Sequence, residues 1–289
     1  MNSDKPVANE TKNTQSLHDH ALDSLLPLLA CPECRGDLAR QGGGLTCQSC
    51  SRSYEVADGI PLLAQAGSSE LWGVESDSQT STAYQETFLD ATIGERYQQR
   101  YERRWSKRFT TRREIGRIEQ LLMSQPRCHR LLDIPCGGGR VSGPLVNATD
   151  LLLQADISLS QVLTARQTMG SPGSFAWLTA SAFLIPLKEG VVDGILCNRL
   201  AHHLAGVEQE RLIGELLRVS KRFVIMSYYD HDSFKSRGRR LRGKKPGYTL
   251  RRSDLAAMAR RHGASVAMDL PLWVEGSRLR YALLLKNLD

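Results

Sequence analysis

The stretch Leu131-Leu132-Asp133-Ile134-Pro135-Cys136-Gly137-Gly138-Gly139-Arg140 constrains this chain more than any other, because it joins an apolar run to three successive glycines. It reads as a buried strand running into a turn that opens a helix. A backbone that passes close under a ligand at positive φ needs glycine. The helix N-terminus behind such a turn offers free N–H groups to an anionic end of that ligand. A dinucleotide turn requires G-x-G-x-x-G/A; starting at Gly137, Gly139 fits but Ser142 holds the third place, so a nicotinamide enzyme is the weaker reading. Next, Leu151-Leu152-Leu153-Gln154-Ala155-Asp156 is a second apolar run ending in an acid. A carboxylate there is placed to accept both hydroxyls of an adenosine ribose, and Ile157-Ser158 reads as a helix start.

Beyond this pair the chain alternates short apolar runs with helical texture. Strands are expected at 130–134, 151–155, 174–178, 191–197, 222–227, 264–270 and 280–286, and helices at 160–168, 207–219 and 252–261. That alternation predicts an α/β sheet with parallel strands. The connection from Pro271 to Leu279 is too short for a parallel crossover, so the last two strands should pair antiparallel. Residues 84–123 read as one or two amphipathic helices in which Tyr97, Tyr101 and Trp105 form a stripe that packs on the sheet or, less simply, stacks on a base. With 289 residues, the chain has room for one large domain and one small one.

The small one is marked by Cys31-Pro32-Glu33-Cys34 and Cys47-Gln48-Ser49-Cys50, two Cys-x-x-Cys knuckles twelve residues apart. Two such turns close a tetrahedral four-thiolate site, which predicts a structural Zn²⁺ with no open position for water. Redox dithiols are the alternative. Cys128, Cys136 and Cys197 are scattered and read as buried thiols. The expected organisation is a disordered lead (1–23), a β-rich zinc ribbon (24–66), a linker (67–83) and the α/β domain (84–289).

Taken together, the motifs resemble those of the class I S-adenosylmethionine (SAM)-dependent methyltransferases. Asp133, Pro135, Gly137 and Gly139 stand in the family's first motif, with Pro135 in place of its first glycine. Ser181-Ala182-Phe183-Leu184-Ile185-Pro186 matches its adenine-contacting segment, with Ser181 where Asp is usual. Asn198-Arg199-Leu200-Ala201-His202-His203-Leu204 looks like the segment after its fourth strand. The resemblance implies a seven-stranded Rossmann-like sheet ending in an antiparallel hairpin. It also implies SAM held by Asp133, Pro135, Gly137, Gly139, Asp156, Ile157, Ser181, Ala182 and Asn198. The Asp58-Gly59-Ile60-Pro61 segment resembles that of small zinc-ribbon proteins that activate tRNA and protein methyltransferases as separate subunits. The ribbon is therefore a candidate contact for a protein partner.

For the chemistry, His202 and His203 are candidate bases, against the reading that one caps a helix and the other packs under the cofactor. Asn198 and Arg199 are candidate substrate holders, unless Arg199 pairs with a local carboxylate. Residues 234–253 contain nine Lys or Arg and no acid, a basic loop (235–252) that suits RNA, a phosphorylated molecule or a lipid head group, or is simply solvated. The net charge of +7 favours such anionic partners. The expected activity is methylation of an anionic substrate, RNA slightly ahead of a small or lipid-linked molecule; a cofactor-binding partner that recruits another enzyme is the alternative. No apolar run is long enough to span a bilayer and the first residues carry no export signal, so the expected location is the cytoplasm.

Overall fold

A computed structural model describes residues 22–64, 105–169, 174–244 and 248–287. After a short helical segment ending in the 3-10 turn Leu26–Leu28, the ribbon forms a three-stranded antiparallel sheet, β1 (Leu38–Gln41), β2 (Gly44–Cys47) and β3 (Ser53–Tyr54), followed by the hairpin β4 (Val56–Ala57) and β5 (Ile60–Pro61). Asp58 and Gly59 both have positive φ, as a two-residue type I′ connection between twisted strands demands.

The larger sheet has seven strands: β6 (Cys128–Asp133), β7 (Thr149–Asp156), β8 (Phe175–Thr179), β9 (Val192–Cys197), β10 (Ser220–Tyr229), β11 (Ala264–Pro271) and β12 (Leu279–Lys286). Their order is β11-β12-β10-β9-β6-β7-β8. Strands β8, β7, β6, β9 and β10 are parallel, and β12 runs antiparallel to both β10 and β11. All seven expected strands form, in the expected hairpin arrangement. β10 runs longer than expected because it pairs with β12 from Phe223 through Tyr229.

Side chains alternate between the two faces of this sheet. Leu131, Leu152, Leu196 and Ile225 point into one apolar layer with α1 (Trp105–Leu122), α2 (Gly143–Ala148) and α3 (Leu159–Met169). Leu132, Leu153, Ile195 and Val224 point into the other, with α4 (Gly206–Val219) and α6 (Arg252–Arg261). On that second face no helix follows β8; residues 180–191 return to β9 through a short turn. The ribbon fills the gap, and Leu25, Leu29, Leu45 and Leu63 share one core with Leu178, Ile185 and Leu187. Leu29 bridges Leu187 and Leu62 bridges Thr179, while Arg35 donates to the Ile185 carbonyl (2.7 Å) and to Glu215 on α4 (2.9 Å).

The expected basic loop is in part a helix, α5 (Phe234–Leu241), capped by Ser233, whose hydroxyl accepts from the Ser236 N–H. Only two apolar residues in eight hid it from periodicity. The lead to residue 21, the linker 67–83, and Tyr97 and Tyr101 lie outside the described residues.

Candidate functional site

Strand order reverses at β6: the chain steps outward through β7 to β8, then restarts at β9 on the other side. Open α/β sheets bind ligands at the carboxyl ends of the strands flanking such a reversal. Here those ends carry Asp133, Asp156, Thr179 and Cys197-Asn198.

Gly137 (φ 52°) and Gly139 (φ 78°) adopt the left-handed backbone that the triple glycine foretold. At Gly139 a Cβ would also lie 3.2 Å from Met169 Cγ, so this residue lets the turn settle on α3. Asp156 spans the turn: Oδ2 accepts the Gly137 N–H at 3.0 Å and Oδ1 the Ser158 N–H at 3.0 Å. Burial pushes its pKa up to about 6, partly opposed by the N–H groups of Ser158, Gly137 and Ile157. Asp133 is fully buried, and burial raises it to about 7. Its Oδ2 accepts from Ser142 Oγ at 2.5 Å, in a chain continued by Gln154 and Trp177. Its Oδ1 has no hydrogen-bond partner. An orphaned acceptor beside a glycine turn fits a ligand with an ammonium or hydroxyl donor, and Asp156 keeps lone pairs for two more donors. Ala182 is buried, and Ser181 accepts the Phe183 N–H at 3.2 Å, closing the turn after β8.

Past β9, Asn198 Oδ1 accepts from Ser227 Oγ and Tyr281 OH, both at 3.0 Å, which fixes its amide. Arg199, at φ 63°, turns to Glu114 of α1, donating from Nε at 2.8 Å and pairing through Nη2. Arg199 thus forms a carboxylate pair, with a residue 85 positions away in sequence. Arg140, on the glycine turn, donates to the other Glu114 oxygen at 2.6 Å. Glu114, wholly buried, thus ties helix, turn and strand end together, a role its sequence context of scattered charges does not announce.

The rings of His202 and His203 lie 4.0 Å apart, and His202 lies 4.2 Å from the Tyr229 ring, over which Arg278 sits at 4.0 Å. Burial first, then His203, Arg199 and Arg278, push His202 down to about 2; burial and Arg199 push His203 down to about 4. Both imidazoles are neutral at physiological pH. Tyr229 and Arg278 join this cluster from β10 and the β11–β12 connection, where no sequence motif marked them.

In the ribbon, the Sγ atoms of Cys31, Cys34, Cys47 and Cys50 lie within 4.8 Å of one another. A tetrahedron with Zn–S of about 2.3 Å needs S···S near 3.8 Å, so the set fits Zn²⁺. Both knuckles share one design: Arg35 N–H returns to Cys31 O and Ser51 N–H to Cys47 O, with positive φ at Arg35 and Ser51. Cys128, Cys136 and Cys197 are buried thiols, as expected.

Residues 132–225 match the family described as methyltransferase domain, and residues 23–59 the Trm112p-like protein family. No curated protein matches the chain. Among solved structures it is similar to magnesium protoporphyrin IX methyltransferase of Synechocystis PCC 6803. The form with bound SAH has TM-score 0.61 and 17% identity, covering 72% of this chain and all of that one. The SAM-bound form has TM-score 0.57 and 17% identity, covering 74% and 100%. It is also similar to a Thermotoga maritima SAM-dependent methyltransferase, a possible histamine N-methyltransferase, with TM-score 0.49 and 20% identity over 68% of this chain and 99% of that one. At these identities the structural likeness speaks to fold alone. Residues 132–225 thus match a methyltransferase domain within a fold like that of the Synechocystis enzyme, and residues 23–59 of the same polypeptide match a Trm112p-like ribbon.

Proposed function

We propose that this chain transfers the methyl group of SAM to an anionic acceptor bound beside His202 and His203. The observation that carries the reading is the pair of buried acids at the strand ends, Asp156 pinned to the Gly137 N–H and Asp133 with an unpartnered oxygen. Asp156 would take the ribose hydroxyls, Gly137 and Gly139 would let the backbone lie against the cofactor, and Asp133 would meet its ammonium end. Ser181 and Ala182 would flank the adenine.

When bound, the cofactor supplies an already activated methyl group, so most of the rate can come from holding the acceptor in line, where effective molarities of about 10⁵ M or more are known. The protein's share is orientation and a proton acceptor. The Arg278 guanidinium over Tyr229 favours an anionic group, and an anion there raises the proton affinity of His202, whose ring lies against Tyr229, and of His203, whose ring lies 4.0 Å from that of His202. His203, neutral beforehand, then takes the proton that an oxygen or nitrogen acceptor loses. Asn198 and Arg199 support this from behind: their bonds to Ser227, Tyr281 and Glu114 fix the wall of the site. The ribbon's partner, in this reading, is first the chain's own sheet.

Titration calorimetry with SAM tests the site. Heat with wild type, lost in Asp156→Ala while the fold is retained, is expected; uptake of a nicotinamide dinucleotide in place of SAM sinks the reading. Labelled SAM incubated with separated RNA, lipid, protein and metabolite fractions then identifies the acceptor class. Binding of SAM with no transfer to any fraction would favour a recruiting partner instead.

A further inference from the structure

The outer face of α5 is built for an apolar medium bordered by negative charge. Phe234 and Leu241 stand one heptad apart, hence on one side of the helix, and are 71% and 90% exposed. The opposite side is anchored: Ser233 and Ser236 are buried, and Arg240 donates to the His231 carbonyl at 2.6 Å. Lys235 and Arg242 flank the apolar pair on one edge and Arg237 on the other, all exposed. The apolar surface continues past the helix. The Phe234 N–H donates to Gly276 O at 3.0 Å, and Val274, two residues earlier, is 68% exposed. Trp273 then meets Phe109 of α1 at 5.3 Å. The nearest acids are engaged: Glu275 pairs with Arg252 and Arg280, and Asp232 with His231.

We infer that α5 and the 273–276 connection form a docking surface for an anionic lipid bilayer, from which the acceptor is presented to the site. An apolar stripe bordered by Lys and Arg is the pattern of helices that lie in a membrane interface, with side chains in the acyl boundary and cations among the phosphates. RNA meets the charge requirement but gains nothing from exposed Leu241 and Val274. The surface reaches the mouth of the site, since Gly276 and Ser277 lead directly to Arg278 over Tyr229. Only the step from surface to acceptor rests on the methyl-transfer reading.

Co-sedimentation of the full chain with three probes tests this: phosphatidylcholine vesicles containing phosphatidylglycerol, phosphatidylcholine vesicles alone, and a mixed-sequence RNA. Wild type should sediment with the anionic vesicles only. Phe234→Ser with Leu241→Ser should abolish this, and Lys235→Gln and Arg242→Gln should each weaken it about fivefold, as expected of a cation near an anionic surface. All four side chains are exposed, so thermal unfolding should be unchanged. The inference is overturned if anionic vesicles are not bound, if the apolar substitutions leave binding intact, or if RNA binds in their place. SAM calorimetry on the wild type separates the two readings: heat without vesicle binding refutes the docking surface alone, and vesicle binding without heat refutes methyl transfer alone.

Discussion

Glu114 shows how one residue can decide whether the other site residues are in place. Its carboxylate is wholly buried and meets two guanidiniums, Arg140 from the glycine turn and Arg199 from the end of β9. Removing one side of a buried ion pair leaves the other charges uncompensated and costs about 3–5 kcal/mol. Arg140 and Arg199 keep roughly a fifth of their side-chain surface in water, so Glu114→Gln should fall at the lower end, about 3 kcal/mol, by denaturant unfolding. It should also weaken SAM binding, because the turn that carries Gly139 loses its charged tie to α1 and keeps the bond from Arg140 to Thr111 Oγ1. Calorimetry at a temperature where the variant is folded checks the second effect; unchanged affinity would make Glu114 a stability residue only. The glycines and Asp156 were legible because their roles are set by neighbours in sequence: a turn that needs positive φ, an acid that ends a strand. Glu114, Tyr229 and Arg278 were not, because each acts through a partner brought near only by the folded sheet.

At the scale of elements, the ribbon stands where a helix would otherwise cover the sheet beside β8. The chain leaves β8 and reaches β9 without a helix, and Leu25, Leu29, Leu45 and Leu63 supply the apolar cover. The four-thiolate set holds this cover in shape, since β1 to β3 are only two to four residues long and too short to stand alone. Removing the metal with a chelator, or substituting Cys31→Ser with Cys34→Ser, should therefore lower the melting temperature of the whole chain and expose apolar surface to a reporter dye. A ribbon that melts alone, ahead of an unaffected main transition, would refute the shared core. Cysteine spacing announced the ribbon and apolar alternation announced the strands, since both are local patterns. That the ribbon packs onto 185–188 was not legible: Leu29 meeting Leu187 and Arg35 meeting Glu215 are pairings across more than 150 residues. Helix α5 was missed for a related reason, its short buried side being made of serines.

For the molecule as a whole, two sets of buried groups pull stability in opposite directions with pH. His202 and His203 have folded pKa values below the ordinary 6.5, about 2 and about 4, so their contribution is full above 6.5 and is lost as pH falls. Asp133 and Asp156 have folded values above the ordinary 3.8, about 7 and about 6, so their contribution is full below 3.8 and is lost as pH rises through 6 and 7. Between about pH 4 and 6 unfolding takes up two protons at the histidines and releases two at the acids, and each proton is worth about 1.4 kcal/mol per pH unit. The two slopes cancel, so these four groups together should leave stability nearly level across that window. Replacing His203 with Asn removes one uptake and leaves the acid release uncompensated. The variant's stability, relative to wild type, should then rise by about 1.4 kcal/mol for each unit the pH falls between 6 and 4. Urea unfolding at half-unit steps measures the difference directly, and parallel curves for the two proteins would show that His203 is as accessible to protons folded as unfolded. Cofactor binding adds the opposite test at the acids, because a cationic ligand favours their charged forms: calorimetry with SAM should register proton release near pH 6 that vanishes well above pH 7.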